Sequence, residues 1–458
     1  VVGVTNPATG ARLGVVPALG APETEAAIAA AAQALPAWRK QLPQDKARLL
    51  RRWHDLMVEA KEDLALLMTL EQGKPLTEAQ GEIDYAASFI AWFAEETMRV
   101  NVEGITPHLP NRQMTVKREP VGVAALITPW NVPSAMITRK AAAALAAGCP
   151  VVVRPASETP FSALALAELA DRAGFPAGLF SVVTGPAEPI VGAMMASEIV
   201  RAVSFTGSTG IGRKLLEQGA ATVKRMSMEL GGHAPMLIFP EVDLDDAVAG
   251  AIAAKFQTSG QDCLAANRIY VHDSIYDAFV TKFAAAAKAL RVGNGLDDGV
   301  EIGPLMHDRA VRKCEQHVQD ALHRGGRLLA GGNRLGGTFF APTVIADASD
   351  DMLIASEETF GPVAPIFRFS SEDEVVRRAN DTIYGLAAYV WSDDAHRVAR
   401  VTEALEYGMV AVNCVKMTGA PVPFGGMKQS GLGREGSRHG LEEFTELKYV
   451  CLQVKGAA

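Results

Sequence analysis

The sequence predicts an α/β fold with two α/β domains and an extended β-strand arm. Near-continuous apolar strands alternate with helical patterns from residue 122 to about residue 205, and a second alternation runs from residue 234 to about residue 415. Strands that are apolar on both faces are typical of parallel sheets covered by helices. The chain of 458 residues is also too long for one compact core, so more than one domain is expected.

Three long helical patterns come before the first alternation. They cover Glu23–Trp38, Asp45–Glu71 and Pro75 to about Val100, and their apolar residues recur at the three-to-four spacing of an amphipathic helix. The predicted strands of the first alternation are Val123–Ile127, Val151–Arg154, Leu179–Val183 and Ala202–Phe205, with helical patterns at 134–147, 161–174 and 188–195 between them.

The arm is predicted from two distant segments. Residues 113–119 alternate as an exposed strand, and residues 448–454 alternate in the same way near the end of the chain. The two strands can pair, and exposed strand edges favour association with a second copy. The expected division is 1–102 with 123–230 for the first domain, 231–422 for the second, and 103–122 with 440–458 for the arm.

The composition excludes several classes of protein. The net charge of −8 argues against a nucleic-acid partner. No segment approaches the roughly 18 uninterrupted apolar residues that indicate a membrane span. The five cysteines are dispersed and lack CxxC spacing, which indicates reduced thiols and a cytoplasmic location.

Cys263 and Glu229 are the candidate reactive residues. Cys263 ends a short polar segment before a β-like run, and Glu229 ends another such run just before Gly231 and Gly232, which permit close approach of a backbone or ligand. A thiolate nucleophile and a carboxylate base are the groups needed for a covalent mechanism that ends in hydrolysis. Taken singly, each has a more ordinary interpretation, as a small buried hydrophobe and a surface charge.

Two turns are candidate ligand sites. At Gly207 a strand turns into a helix whose free N–H groups suit a pyrophosphate, but the segment matches neither GxGxxG nor a P-loop, and a plain tight turn is the simpler interpretation. Asn131 follows a strand at the end where open α/β sheets place ligands. Its amide could donate to an oxyanion or cap the helix from Pro133.

A metal site is not expected. Cys314, His317 and His323 lie on one helical pattern, but they are only three candidates and do not share one tight face. We expect a solvated helix surface there.

Six ordered motifs cover essentially the whole chain. They are Pro129–Asn131, Phe205–Thr209, Glu229–Gly232, Gly260–Cys263, Glu358–Pro362 and Pro423–Gly426. Together they resemble the aldehyde dehydrogenase superfamily, and residues 136–140, 159–166 and 431–437 are most similar to its succinate-semialdehyde dehydrogenase branch. The resemblance implies a Rossmann-like cofactor domain, a second α/β catalytic domain and a β-strand oligomerisation arm, with a homodimer or homotetramer as the assembly.

The resemblance also implies a role for each catalytic residue. Cys263 attacks the aldehyde carbon, and the amide of Asn131 holds the oxyanion together with the backbone N–H of Cys263. Glu229 activates the water that hydrolyses the resulting thioester. Lys140 matches an invariant-type lysine behind the asparagine.

The cofactor implied by the resemblance is NAD(P). Glu358 and Phe360 match residues that hold the nicotinamide ribose and ring, Trp130 matches the adenine-ribose side, and Gly207 with Ser208 matches the pyrophosphate turn.

Two departures from the family pattern favour NADP, or dual use with NAD. Arg154 stands where the family usually has lysine, and arginine binds a phosphate better than a hydroxyl. Ser157 stands where NAD-preferring members carry glutamate, with the acid displaced to Glu158.

The substrate residues depart in part from the branch. Arg139 matches one of two arginines that hold the substrate carboxylate, whereas Gln257 and Thr418 replace the second arginine and a serine, and Phe424 is expected in the same pocket. A semialdehyde such as succinic semialdehyde is expected, with an uncharged or aromatic aldehyde as the alternative. A CoA-acylating enzyme or a non-catalytic relative is disfavoured because Glu229 and the other catalytic residues are present.

Overall fold

The computed structural model describes residues 1–454 and has the α/β fold that the sequence predicts. Within these residues, none of the helices has the length and apolar character needed to cross a membrane. The helices are α1 (Ala21–Lys40), α2 (Pro43–Glu59), α3 (Lys61–Gln72), α4 (Leu76–Glu96), α5 (Pro133–Ala147), α6 (Pro160–Arg172), α7 (Ala187–Ala196), α8 (Thr209–Ala220), α9 (Leu244–Phe256), α10 (Tyr276–Ala289), α11 (Asp308–His323), α12 (Leu353–Ser356), α13 (Glu372–Asn380), α14 (Ala395–Ala404) and α15 (Ser437–Glu442).

The strands form two large sheets, one three-stranded sheet and two small hairpins. They are β1 (Val2–Thr5), β2 (Arg12–Val16), β3 (Glu103–Ile105), β4 (Arg112–Pro120), β5 (Val123–Ile127), β6 (Val151–Arg154), β7 (Phe180–Val182), β8 (Val200–Thr206), β9 (Arg225–Glu229), β10 (Ala234–Ile238), β11 (Ala266–His272), β12 (Arg327–Ala330), β13 (Arg334–Gly336), β14 (Phe339–Phe340), β15 (Thr343–Ala346), β16 (Val363–Phe369), β17 (Ala387–Trp391), β18 (Met409–Val412), β19 (Gly431–Leu432) and β20 (Thr445–Gln453).

The first large sheet has the strand order β19-β9-β8-β5-β6-β7. Its neighbours are parallel except for the short β19, which is antiparallel to β9. Every residue of β5 is buried, as expected for an apolar strand covered on both faces. The carboxyl ends of β5, β8 and β9 lie at one edge of the sheet, so the segments that follow them bring Asn131, Gly207 and Glu229 to the same side of the molecule.

The second large sheet has the order β12-β15-β16-β11-β10-β17-β18 and is parallel except for β12. Its central strands β10 and β11 begin at Ala234 and Ala266. Glu229 therefore ends a strand of the first sheet, and a short glycine link leads from it into the second. Cys263 lies just before β11, on the side of the second sheet that meets the first.

The predicted arm strands pair with each other. β20 is antiparallel to β4 over nine residues, from Thr445 opposite Pro120 to Gln453 opposite Arg112, and β3 extends the sheet on the other side of β4. β20 is an edge strand whose apolar side chains Leu447 and Leu452 are exposed. Residues 455–458 of the expected arm lie outside the described residues, and the proposed division into domains remains a prediction.

The single helix predicted for residues 45–71 is wrong. The structure has two helices, α2 and α3, which meet at Ala60 (φ −92°, ψ 13°). The apolar stripe continues across the break, because Trp53 and Met57 before it and Leu64 and Met68 after it all reach the same core. Periodicity therefore predicted that both segments bury an apolar stripe, but it missed the turn.

We expect the glycine link between the two sheets to tolerate no side chain at Gly232. A Cβ at this position would lie 2.0 Å from the carbonyl oxygen of Cys263, so Gly232→Ala must displace one of the two segments. Overpacking of this kind typically costs about 1–3 kcal/mol. The variant should therefore unfold at a lower temperature than the wild type in a calorimetric scan.

Gly192 in α7 provides the matched control. An added Cβ there meets no atom within 4 Å, and alanine is favoured over glycine inside a helix by about 0.5–1 kcal/mol. Gly192→Ala should keep or raise the unfolding temperature. Similar behaviour of the two variants would contradict the close packing at Gly232.

Candidate active site

The segment that carries Cys263 has an unusual backbone. Thr258, Ser259 and Gly260 have φ angles of 49°, 58° and 71° in succession, a conformation that costs free energy at the two non-glycine positions. The Glu78 carboxylate accepts a hydrogen bond from the Thr258 N–H at 3.1 Å, and the Ser259 hydroxyl donates to the Gly303 carbonyl at 3.0 Å. These contacts stabilise the turn that leads to the cysteine.

Cys263 lies where two cavities meet. One cavity, of about 650 Å³, is lined by Cys263 together with all four predicted substrate residues, Arg139, Gln257, Thr418 and Phe424. The other, of about 450 Å³, is also lined by Cys263 and contains Trp130, Asn131, Gly207, Ser208, Glu358 and Phe360. Cys263 thus borders both the predicted substrate side and the predicted cofactor side.

Asn131 points its side chain towards the cysteine segment. Its amide Nδ2 donates to the Gln261 carbonyl at 3.1 Å, two residues before Cys263. The alternative role as a helix cap does not apply, since the residue that precedes α5 is Val132 and no side chain caps this helix locally. An amide donor therefore lies beside the nucleophile segment.

Glu229 is buried, and neither of its carboxylate oxygens has a hydrogen-bond partner among the described residues. Burial raises the pKa of Glu229 to about 8; the charges of Arg139 and Lys140 oppose this shift, and that of Glu435 adds to it. A carboxyl group with a pKa near neutrality can accept and release a proton during turnover.

The Cys263 thiol is also shifted. Burial raises its pKa well above the usual value, and the negative charges of Glu229 and Asp262 act in the same direction. The raised pKa favours the protonated thiol, so the proton would have to leave before this sulfur could act as a nucleophile.

A buried ion cluster lies behind these groups and includes a residue that sequence reasoning missed. Glu435 forms ion pairs with both Arg139 and Lys140. Lys140 also donates to the Thr206 hydroxyl at 2.7 Å, and the Arg139 guanidinium stacks over the Phe424 ring at 4.0 Å. Glu435 lies inside the segment 431–437, which carried the family resemblance, but no chemical signal in the sequence singled it out.

The second cavity has the features of a dinucleotide site. Trp130 packs edge-on against Phe360, with ring centroids 5.6 Å apart. Glu358 accepts a hydrogen bond from the Gly232 N–H at 3.2 Å, and burial raises its pKa to about 7. No side chain caps the N-terminus of α8, and the adjoining Gly207 and Ser208 line the cavity, so free backbone N–H groups are present where a pyrophosphate would bind.

Arg154 and Ser157 form a separate contact beyond that cavity. The Arg154 guanidinium donates to the Ser157 hydroxyl at 2.8 Å, and its Nε has no partner. The displaced acid Glu158 contacts His307 at 2.9 Å. His307 and Lys313 also line the second cavity, and neither was singled out from the sequence.

The predicted solvated surface around Cys314, His317 and His323 is wrong for the first two residues. Cys314 and His317 are fully buried, and only His323 is exposed. The His317 Nδ1 atom lies 3.0 Å from the Thr359 hydroxyl. The two buried residues are three apart on α11 and therefore share the face that packs on the core. Among residues 1–454, no three such side chains cluster as metal ligands.

Known proteins resemble this chain over nearly its full length. It is 55% identical to the NADP(+) succinate-semialdehyde dehydrogenase GabD of Escherichia coli K12 over 453 residues, which are 98% of this chain and 94% of the relative. It is 56% identical over 451 residues to the 3-sulfolactaldehyde dehydrogenase of Pseudomonas putida, covering 98% and 93% of the two chains.

A crystal structure of succinate-semialdehyde dehydrogenase from Burkholderia pseudomallei superposes with a TM-score of 0.98 at 54% identity, covering 99% of this chain and 94% of the other. The model of the aldehyde dehydrogenase family matches residues 2–450. The chain belongs to the aldehyde dehydrogenase family and is an NAD(P)-dependent oxidoreductase.

Proposed function

We propose that this enzyme oxidises a semialdehyde with an anionic group to the corresponding carboxylic acid, with Cys263 as nucleophile and Glu229 as base. The observation that carries the proposal is the position of Cys263 between the two cavities. The first cavity, lined by Arg139, could hold the aldehyde against Cys263, and the second cavity, lined by Glu358 and Phe360, could hold the cofactor on the other side of Cys263.

In the first half of the reaction, the Cys263 sulfur bonds to the aldehyde carbon, and the thiol releases its proton to water in the cavity. The negative charge that develops on the aldehyde oxygen is stabilised by the Asn131 amide and the Cys263 backbone N–H, which are preorganised donors in a water-poor site. A nicotinamide cofactor, held by the residues that line the second cavity, would supply the acceptor for the hydride that leaves this carbon. A thioester on Cys263 remains.

In the second half, Glu229 removes a proton from water as the water attacks the thioester carbon. The acid then leaves, and the Cys263 sulfur is released. The two unpartnered carboxylate oxygens of Glu229 are free to hold that water. Lys140, buried and bonded to Thr206, orders the helix behind Asn131.

The anionic part of the substrate would be held by two cations. Arg139 lies in the wall of the first cavity, and Lys416 lines the same cavity from an exposed loop. Lys416 forms no ion pair among residues 1–454, and it supplies a positive charge in a cavity where Gln257 has replaced the branch's second arginine. The relatives are named for succinate semialdehyde and 3-sulfolactaldehyde, both aldehydes with an anionic group.

The cofactor is proposed to be NADP in preference to NAD. The Arg154 guanidinium has a free Nε beside Ser157, and a 2′-phosphate there would gain a charge-assisted hydrogen bond. Glu158 is engaged with His307 and so does not replace the glutamate that binds the ribose hydroxyls in NAD-preferring members.

We propose that the enzyme is a homodimer or homotetramer that acts in the cytoplasm. The exposed edge strand β20, with Leu447 and Leu452 on it, supports pairing with a second copy. All five cysteines are free thiols, which is usual in a reducing compartment.

If Arg139 binds the anionic group, Arg139→Ala should lower the activity on a charged aldehyde more than the activity on an uncharged one. The kcat/KM for succinic semialdehyde should fall at least about tenfold more than that for hexanal, because a hydrogen-bonded charge pair contributes about 1.5–3 kcal/mol. Lys416→Gln should lower the same ratio by a smaller factor, since its charge is exposed. Steady-state kinetics with both aldehydes measures the ratio.

The control for this series is Lys288→Gln. Lys288 is exposed on α10 and lines neither cavity, so the ratio should stay unchanged. Equal losses for both aldehydes in Arg139→Ala would remove the carboxylate role and favour an uncharged or aromatic aldehyde.

If Glu229 is the base, the rate of thioester hydrolysis should rise with pH. Glu229 acts as a base only when ionised, and its pKa is about 8, so the hydrolytic rate should increase with pH below about 8 and level off above it. Glu229→Gln should release one equivalent of reduced cofactor per site and then slow by about 10²–10⁴-fold. Pre-steady-state measurement of reduced cofactor separates the burst from the turnover.

The wild-type enzyme measured without CoA is the reference for this experiment. It should yield free acid at every pH. Turnover that requires CoA would instead point to the acylating reaction, and a wild-type pH profile retained in Glu229→Gln would contradict the role of Glu229.

The cofactor proposal predicts a shift in preference when Arg154 is removed. The ratio of kcat/KM for NADP to that for NAD should exceed one in the wild type and fall about tenfold or more in Arg154→Ala, because the lost bond is to a charged phosphate. The exposed Arg172 of α6 gives the matched control, Arg172→Ala, with no change in the ratio. A wild-type preference for NAD of tenfold or more would overturn the proposal.

A further inference from the structure

A buried ion pair lies next to the oxyanion residue but outside the reacting groups. Lys74, in the link between α3 and α4, pairs with Glu82 on α4, and both side chains are almost fully buried, with 3% and 4% of their surface exposed. Removing two charges from water costs several kcal/mol, which the mutual attraction of the pair does not reliably return. Such a pair in the interior calls for a role beyond stability.

The lysine of this pair holds the backbone of Asn131. Its ammonium donates to the Asn131 carbonyl oxygen at 2.9 Å. The side chain of the same asparagine donates to the Gln261 carbonyl at 3.1 Å. Asn131 is therefore fixed through its main chain by Lys74, while its amide remains directed at the segment that carries Cys263.

The glutamate of the pair holds the residues that follow. One Glu82 oxygen accepts hydrogen bonds from the Ser134 and Ala135 N–H groups at 2.9 and 3.3 Å. These are the first free N–H groups of α5, which has no cap of its own. Glu82 thus caps α5 from another helix. Its negative charge also interacts favourably with the positive N-terminal end of the α5 dipole.

The same stretch of chain also holds the nucleophile. Glu78, one helical turn before Glu82 on α4, accepts the hydrogen bond from the Thr258 N–H. The stretch is itself held against Gly295. The Leu76 N–H donates to the Gly295 carbonyl at 2.9 Å, and the backbones are so close that a Cβ on Gly295 would lie 2.4 Å from the Lys74 carbonyl oxygen. Residues 74–82 therefore contact both the oxyanion segment and the nucleophile segment.

We infer that Lys74 and Glu82 are positioning residues that set the direction of the Asn131 amide relative to the Cys263 sulfur. The inference rests on the oxyanion role proposed for Asn131. Lys74 acts on the Asn131 carbonyl and Glu82 on the start of α5, so the amide donor is preorganised before the aldehyde binds. A preorganised donor stabilises the developing charge without rearrangement during the reaction.

A double-mutant cycle tests the inference. The rate of the first burst of reduced cofactor is measured in the wild type, Lys74→Met, Asn131→Ala and the double variant. Lys74→Met should slow the burst about 10- to 100-fold, since a misplacement of about 1 Å can cost on the order of 100-fold. In the Asn131→Ala background the same change should have almost no further effect, because residues that act through one another are not additive.

Two further variants keep the test decisive if Lys74→Met folds poorly. Glu82→Gln keeps the size of the side chain, removes the charge and should show the same non-additivity with a smaller loss. Lys61→Met breaks the exposed pair between Lys61 on α3 and Asp84 on α4 and should leave the burst unchanged. In every variant, alkylation of Cys263 by iodoacetamide should keep the wild-type rate, because the nucleophile segment is held separately by Glu78.

The possible outcomes separate the inference from the function on which it rests. An equal loss from Lys74→Met in both backgrounds would mean that Lys74 acts through general stability, and would overturn the inference while leaving the oxyanion role in place. A burst of wild-type rate in Asn131→Ala would remove the oxyanion role itself. A loss that disappears in the Asn131→Ala background supports both.

Discussion

The active site depends on the compensation of buried charge. Glu435 pairs with Arg139 and Lys140, which are consecutive residues of α5, and removal of Glu435 would leave two buried cations without a counter-charge. The pairing fixes the segment near the end of the chain against the helix that begins beside Asn131. Lys74 and Glu82 hold the N-terminus of α5 through the Asn131 carbonyl and the Ser134 N–H. These two clusters fix the position of α5 and, with it, that of Asn131, the proposed oxyanion donor.

Glu229, the proposed base, is buried in the opposite way, without a partner in the described part of the chain. Glu82 and Glu435 are ion-paired, whereas the two oxygens of Glu229 accept no hydrogen bond from residues 1–454. Burial raises the pKa values of Glu229 and the Cys263 thiol, so both groups bind a proton more tightly than in water, and Glu229 can exchange its proton near neutral pH. All three carboxylates are buried, so burial does not distinguish them. Glu82 and Glu435 have a cationic partner, whereas Glu229, the proposed base, has none among the described residues.

The sequence predicts well those features that depend on residues close together in the chain. Alternation over a few residues was enough to predict the β4 and β20 pairing, and ordered motifs placed Cys263, Asn131 and Glu229. Glu435 and Lys74 were missed because their roles depend on partners 295 and 57 residues away, and a lone charged residue carries no sign of such a partner. The buried face of α11 was misjudged for a related reason: polar and sulfur-containing side chains at helical spacing do not reveal which face meets the core.

The two cations proposed to bind the substrate, Arg139 and Lys416, differ in how firmly the structure holds them. Arg139 lies on α5 and stacks on Phe424, whose backbone exchanges two hydrogen bonds of 2.8 Å with Glu435, so it cannot move without moving the ion cluster. Lys416 lies on an exposed loop and lines the same cavity. Because loops tolerate change better than packed helices, the outer charge can vary with the substrate while the inner one stays fixed. A change of preferred aldehyde then requires no movement of Cys263, Asn131 or Glu229.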